Sequence, residues 1–315
     1  MNQKLFLTTS KNVARRLTEL FDFVWPTAAA IWNLRWQVSG LMAVNPELTH
    51  DELQGRFVGG SGIRGANLRK ACIDSTWEDQ QQEFARFLLI EFCSLYEAWC
   101  EGSLAELGQA ATLSKDLQFP SSTTNGTQRG ISRATAVING SQSAILTAAI
   151  HQSLLSNRKY SLPHLEQLLI CYRYFKEVRN SLVHGGGSPS TSFINAEAAY
   201  AALSTTDLGV KEIPEYQPYT QGSPIAVSLR GVVGFGDIIL KLVCTLDIEF
   251  SKSTAAEGVF ISRWKSVHGQ SPVVIAQNPH DRETRIRKLV RKLNLPKPAT
   301  SDAFLAWLSA NRLIV

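Results

Sequence analysis

The chain has 315 residues, of which 44% are hydrophobic and 19% charged, and it carries a formal net charge of +5. A length of this order suggests about two domains, and the apolar-to-charged balance excludes disordered, collagen-like and disulfide-scaffold chains. No apolar run approaches the roughly 20 residues that a membrane-spanning helix needs. Polar residues from Thr8 to Asn12 follow Met1–Phe6 directly, so no signal-peptide apolar stretch is expected. Five cysteines, Cys72, Cys93, Cys100, Cys171 and Cys244, form no CxxC pair and sit mostly in apolar helical surroundings. That usage predicts reduced core residues and a cytoplasmic protein.

Most segments read as helix. The first runs from Asn12 to Trp36, rich in aromatic residues, with Pro26 expected to break it. Pro46 to Leu53 reads as a short capped helix leading into a glycine-rich turn, Gly59 to Gly65. Gly60, Gly62 and Gly65 spell GxGxxG, but no βαβ unit surrounds them, so the segment is expected to be a flexible turn and not a dinucleotide site. The longest helix starts near Ser75, where Ser75-Thr76-Trp77-Glu78 has the form of a capping box. Apolar residues crowd all its faces from Phe84 to Trp99, which makes it central, and Gly108 or the alanines after it should close it. Pro120 to Gly140 reads as a mobile surface loop carrying Arg129 and Arg133. A third helix is predicted over Ser141–Leu155, and a fourth from about Ser161–Pro163 to the stop at Gly185-Gly186-Gly187. The polar stretch from Ser188 to Ser223 contains a short alanine-rich helix, Ala196–Leu203, and a further apolar helix spans Val232–Phe250. Pro272–Ala276 is the best strand candidate, and a small helix is expected over Ser301–Asn311. The predicted class is mainly α, in three parts: an N-terminal helical module (1–74), a helical block (75–250) with insertions at 120–140 and 188–223, and a basic C-terminal module (251–315).

The charge is uneven. Residues 251–315 hold 11 Lys/Arg against four Asp/Glu, and the rest of the chain is slightly acidic. On a helix through this region, Arg285, Lys288 and Lys292 share one face, while Ile286, Leu289, Val290 and Leu293 lie on another. Such a strip can attract a phosphate backbone by releasing counterions. Without another nucleic-acid signal, the solvated face of an amphipathic helix is the plainer reading of this strip.

The helix ending at the three glycines carries the most specific pattern. Its apolar seam advances through Leu165, Leu168, Tyr172 and Phe175, then meets Arg179 where an apolar residue is due, and resumes at Leu182. An arginine there must be paired or must face a polar cleft, because burying the bare charge is costly. Asn180 and His184 are i and i+4, and His184 occupies the last turn, where the helix dipole favours its protonated form. An arginine fork can hold a phosphate and stabilise charge building on it, and a histidine can move a proton near neutral pH. RNA brings its own nucleophile, the 2′-hydroxyl.

Arg179-Asn180-x-x-x-His184 resembles the RxxxxH signature of HEPN domains, including the polar residue directly after the arginine. The resemblance covers roughly Ser75 to Phe250. It implies an antiparallel bundle of four to five helices and a metal-independent endoribonuclease without cofactor. It further implies a homodimer in which two motifs face one another across the interface. The setting it implies is toxin–antitoxin or anti-phage defence, with an antitoxin or other regulatory protein as partner. Tyr96-Glu97-Ala98-Trp99 resembles the aromatic-Glu-x-aromatic step of an earlier helix in that family, which makes Glu97 the acidic companion of Arg179; Glu101 and then Glu91 compete for that role. In this reading Arg179, Asn180, His184 and Glu97 are the catalytic set, Arg285, Lys288 and Lys292 bind RNA, and no metal is held. The competing expectations are a purely structural Arg179–carboxylate bridge, a catalytically silent module that binds RNA or a protein, and a DNA-binding regulator. The His50-Asp51 and His280-Asp281 pairs lack further ligands, and GK[ST], HExxH and GxSxG motifs are absent from the sequence.

Overall fold

The computed structural model describes residues 4–184 and 189–315. The protein is mainly helical, and one small antiparallel hairpin is the only sheet among the described residues. Helix α1 (Thr8–Val44) runs for 37 residues straight through Pro26, so the predicted break does not occur. Pro26 and Asp22, whose carbonyl loses its donor, both face solvent, where water can replace the missing bond. The start of α1 has no side-chain cap of its own. Instead Asp247 accepts the N–H groups of Phe6 and Leu7 at 2.6 and 2.8 Å, and Glu106 accepts those of Thr8 and Thr9 at 2.8 and 3.0 Å. Arg263 ties the same end down by donating to the Phe6 carbonyl and to Glu106. Carboxylates at a helix N-terminus satisfy free donors and oppose the positive end of the dipole.

Helix α2 (His50–Phe57) begins at a Thr49/Glu52 capping box, a few residues later than predicted. The glycine turn follows, with Gly60, Gly62 and Gly65 all at positive φ, and leads into a π-helical turn, Lys70–Asp74. Helix α3 (Trp77–Glu106) starts from Thr76, whose box partner is Asp79, one residue beyond the Ser75/Glu78 pair read from sequence. It ends as expected at Gly108, φ 63°, with Gly108 N–H bonded to the Ala105 carbonyl and Gln109 N–H to that of Leu104.

Residues 120–140 are not a loop. Strands β1 (Ser122–Thr124) and β2 (Thr127–Arg129) pair across Asn125 and Gly126, both at positive φ, and α4 (Ile131–Ile138) buries Ile131, Ala134 and Ile138. Short α-helices α5 (Ala144–Leu146) and α6 (Gln152–Leu154) are joined by a π-helical turn, and α7 (Leu165–His184) follows a 3₁₀ turn. Helix α8 (Thr191–Ala201) begins five residues before the predicted start, from a Ser190 cap, and the four-residue α9 (Thr205–Leu208) follows. Then come α10 (Leu229–Phe250), α11 (Thr254–His268), α12 (Pro279–Lys292) and α13 (Asp302–Ala310). Pro272–Ala276 forms no strand; Val273 makes a single parallel bridge to Ile314.

Helices α3, α7 and α10 pack on one another, α1 lies against α3 and α10, and α8 covers α7. Their interface is aromatic: Tyr96 and Tyr172 meet at 4.6 Å between ring centres, Phe175 and Phe235 at 4.5 Å. One continuous core runs from Phe6 to Ile314 and takes in Phe260, Trp264, Ile286, Leu289 and Phe304 from beyond residue 250. A second, smaller core joins Val38, Met42, Leu53, Leu68 and Cys72 at the far end of α1. All five cysteines are free thiols and buried, and no described helix is long and apolar enough to cross a membrane.

Candidate functional site

The packing of α7 on α3 determines where Arg179 goes. Its Nη2 donates to Glu97 Oε1 at 2.6 Å, and Lys176 Nζ reaches the same oxygen at 2.8 Å. The three side chains are 15% (Arg179), 17% (Lys176) and 29% (Glu97) exposed. Lys176 also donates to Gln118 Oε1 at 2.5 Å. Glu101 is exposed, and Glu91 pairs with Arg16 at 3.1 Å, so neither competes for Arg179. Burial opposes the charge on Arg179, but the neighbouring Cys93 and Glu97 outweigh it and leave its pKa raised. Cys93 is itself pushed up to about 12, chiefly by burial, and is inert as a thiolate. The Arg179 Nε–H is buried and finds no acceptor among the described residues.

Asn180 is half-buried and His184 is exposed. Helical geometry puts His184 about 140° around the axis from Arg179 and about 7.5 Å further along it. The guanidinium therefore faces α3 while the imidazole faces outward, and within one chain the two are not joined by a hydrogen bond. Asn180 stands between them and lies about 40° from His184. Gly185, Gly186 and Gly187, the predicted stop, lie outside the described residues. Lys176 was not singled out from sequence; its signal is the i, i+3 relation to Arg179 on the side of α7 that carries the seam.

Arg285, Lys288 and Lys292 are exposed together on α12, and Ile286, Leu289 and Val290 are buried beneath them. Their neighbours are occupied: Arg287 pairs with Glu283, and Arg282 donates to the carbonyls of Ala276 and Gln277. Burial, with Lys292 and Arg285 adding to it, lowers the pKa of His268, whose Nε2 bonds the Leu289 carbonyl at 3.1 Å. Two further histidines are structural: His151 Nδ1 bonds the Ile248 carbonyl at 3.0 Å and His164 Nδ1 that of Asp207 at 2.9 Å, whereas His50 and His280 are exposed.

Compared with known proteins, the chain matches no family model, no curated protein and no solved structure.

Proposed function

We propose that the protein is a cytoplasmic, metal-independent endoribonuclease of HEPN type, acting as a homodimer. The observation that carries this reading is the ion pair of Arg179 with Glu97, on a bundle helix whose next turn exposes His184. Burial at 15% exposure and a carboxylate clamp hold the guanidinium in one orientation, which is what a phosphate-binding fork requires. The outward-facing imidazole of one chain and the fork of the other form one cleft when two copies meet, which reconciles the angle between them on α7. In the reaction the 2′-oxygen attacks the adjacent phosphorus and the P–O5′ bond breaks, leaving a 2′,3′-cyclic phosphate. The proton lost from the 2′-hydroxyl ends on the 5′-oxygen, and His184 carries one of these transfers. Arg179 stabilises the charge on the phosphate, Asn180 orients it, and Glu97 positions Arg179. The exposed Arg285, Lys288 and Lys292 add sequence-independent affinity for the strand. A toxin–antitoxin or anti-phage role, with an antitoxin or regulatory protein restraining the dimer, belongs to the same proposal.

The decisive measurement incubates the purified protein with total RNA in excess EDTA and sequences the new ends. Arg179→Ala and His184→Ala should each reduce cleavage by about 100-fold or more while leaving the far-ultraviolet circular dichroism unchanged. Undiminished cleavage by the double variant overturns the proposal. A second reading, RNA binding without cleavage, is favoured by the exposed basic strip of Arg285, Lys288 and Lys292 and by the outward turn of His184 away from Arg179. It predicts salt-sensitive RNA binding with no new ends, lost when Arg285, Lys288 and Lys292 are neutralised.

A further inference from the structure

We infer that the cleft between the β1–β2 hairpin, α7 and α8 is a subsite for one nucleotide of a single-stranded RNA. The inference rests on the proposed function only in taking RNA as the ligand, and not on its cleavage. The cleft has a volume of about 560 Å³, within the range of small-ligand sites. Three cations line it, Lys115, Arg129 and Arg173. The carboxylate among its walls, Asp116, is already engaged by the Gly130 N–H at 2.9 Å and by Arg133 Nη1 at 2.6 Å. Arg173 shares its charge with Glu177, so the free charge in the cleft is the positive charge of Lys115 and Arg129, over a largely apolar floor.

That floor has a planar platform. The Arg173 guanidinium carbon lies 4.7 Å from the centre of the Phe119 ring. A guanidinium stacked on an aromatic ring is the kind of surface on which an unstacked base settles without regard to sequence. The facing wall, from α8, is built of small side chains, Ala196 and Ala199, with Asn195 as a polar group for a base edge. The opposite wall is held rigidly. Ser121 offers its N–H and hydroxyl to Glu166 at 2.8 and 2.5 Å, and Gly130, at φ 74°, passes so close that a Cβ would lie 2.1 Å from the Pro120 carbonyl oxygen. The site is preformed, which lowers the ordering cost of binding.

Helical register connects this cleft with the end of α7. Arg173, Asn180 and His184 fall within about 20° of a common line along the helix, with Arg173 about 16 Å from His184 along the axis. A strand lying along α7 with a phosphate at His184 would thus bring a nucleotide a few positions away to the cleft. Glu177 lies between, 13% exposed and paired with Arg173 at 3.3 Å, so its charge is partly offset.

The test uses the full chain carrying His184→Ala, so that RNA stays intact, and follows the fluorescence anisotropy of a labelled 12-nucleotide single-stranded RNA. Arg129→Glu reverses a cleft charge on an exposed strand, and Ala199→Trp fills the cleft from an exposed helix position. Each should weaken RNA binding by about tenfold with an unchanged melting temperature, and uridine monophosphate should protect Phe119-bearing peptides from 4-thiouridine crosslinking. Unaltered affinity in both folded variants overturns the inference, as does an equal loss of affinity for duplex DNA. The His184-intact chain is assayed for EDTA-resistant cleavage alongside: lack of cleavage there sinks the nuclease reading alone, and the binding result stands independently.

Discussion

At the scale of single residues, two carboxylates dominate, the half-buried Glu97 and the buried Asp247. Glu97 is shared by Arg179 and Lys176, so one negative charge faces two positive ones. Glu97→Gln leaves two poorly hydrated cations beside a neutral amide. The cost should fall between that of an exposed pair and that of a fully buried one, about 2 kcal/mol, read as a lower midpoint in urea unfolding. An unshifted midpoint would show that the pair contributes nothing net. Asp247 is the reverse case. Burial pushes its carboxyl up to about 6, although the Phe6 and Leu7 N–H groups, Ser10 and Lys11 all pull it down. A carboxyl whose folded pKa lies above its unfolded value favours folding most when protonated. That contribution is complete below pH of about 4 and is lost as pH rises through about 6, a difference on the order of 3 kcal/mol. Asp247→Asn should remove this component, so the stability gap between wild type and variant should change across pH 4–7. A constant gap would show that Asp247 does not titrate there. Glu106, which accepts from Thr8 and Thr9 in the same cluster, is lowered despite burial and contributes with the opposite sign, losing its stabilisation as pH falls.

At the scale of elements, the pattern of α7 was legible because its seam interrupts at one position, and a charge there must either be paired or face a polar cleft. The hairpin was also legible: Thr124-Asn125-Gly126-Thr127 is the composition of a two-residue turn with both central residues at positive φ. A polar loop has a similar composition, which masks the hairpin in the sequence. Helix α4 was hidden by its length, since eight residues with three buried positions give too few periods to read. The cap of α3 fell one residue late because Ser75 and Thr76 are both good caps, each with an acidic residue three positions on. Gly130 closes the hairpin onto Pro120. Gly130→Ala combines a strained backbone with a contact of 2.1 Å against a carbonyl oxygen. It should destabilise the protein by about 2 kcal/mol or more, seen in thermal unfolding, whereas Gly126→Asn, in an open turn, should cost much less. Equal costs would show that the contact with Pro120 is relieved by local movement.

At the scale of the whole molecule, the division at residue 250 suggested by charge does not coincide with a division of the core. Phe260, Trp264, Ile286, Leu289 and Phe304 share the cluster that holds Tyr96 and Tyr172. A chain ending at residue 250 would expose that apolar surface, and it should unfold without a cooperative transition in calorimetry; a sharp transition would show that residues 4–250 hold together alone. The amino-acid order by itself determined that the protein is mainly helical, that α3 is central, and that Arg179 must be paired or face a polar cleft. Each follows from periodicity and from the cost of a buried ion, which act within a few turns of one helix. Only the tertiary structure decided that the counter-charge is Glu97 and not Glu91 or Glu101. All three lie on α3, and their choice depends on the rotation and height of α3 against α7. The cleft beside Arg173 was decided in the same way. Its walls come from segments around residues 116, 130, 173 and 196, and no local pattern encodes a surface that exists only once four elements have packed.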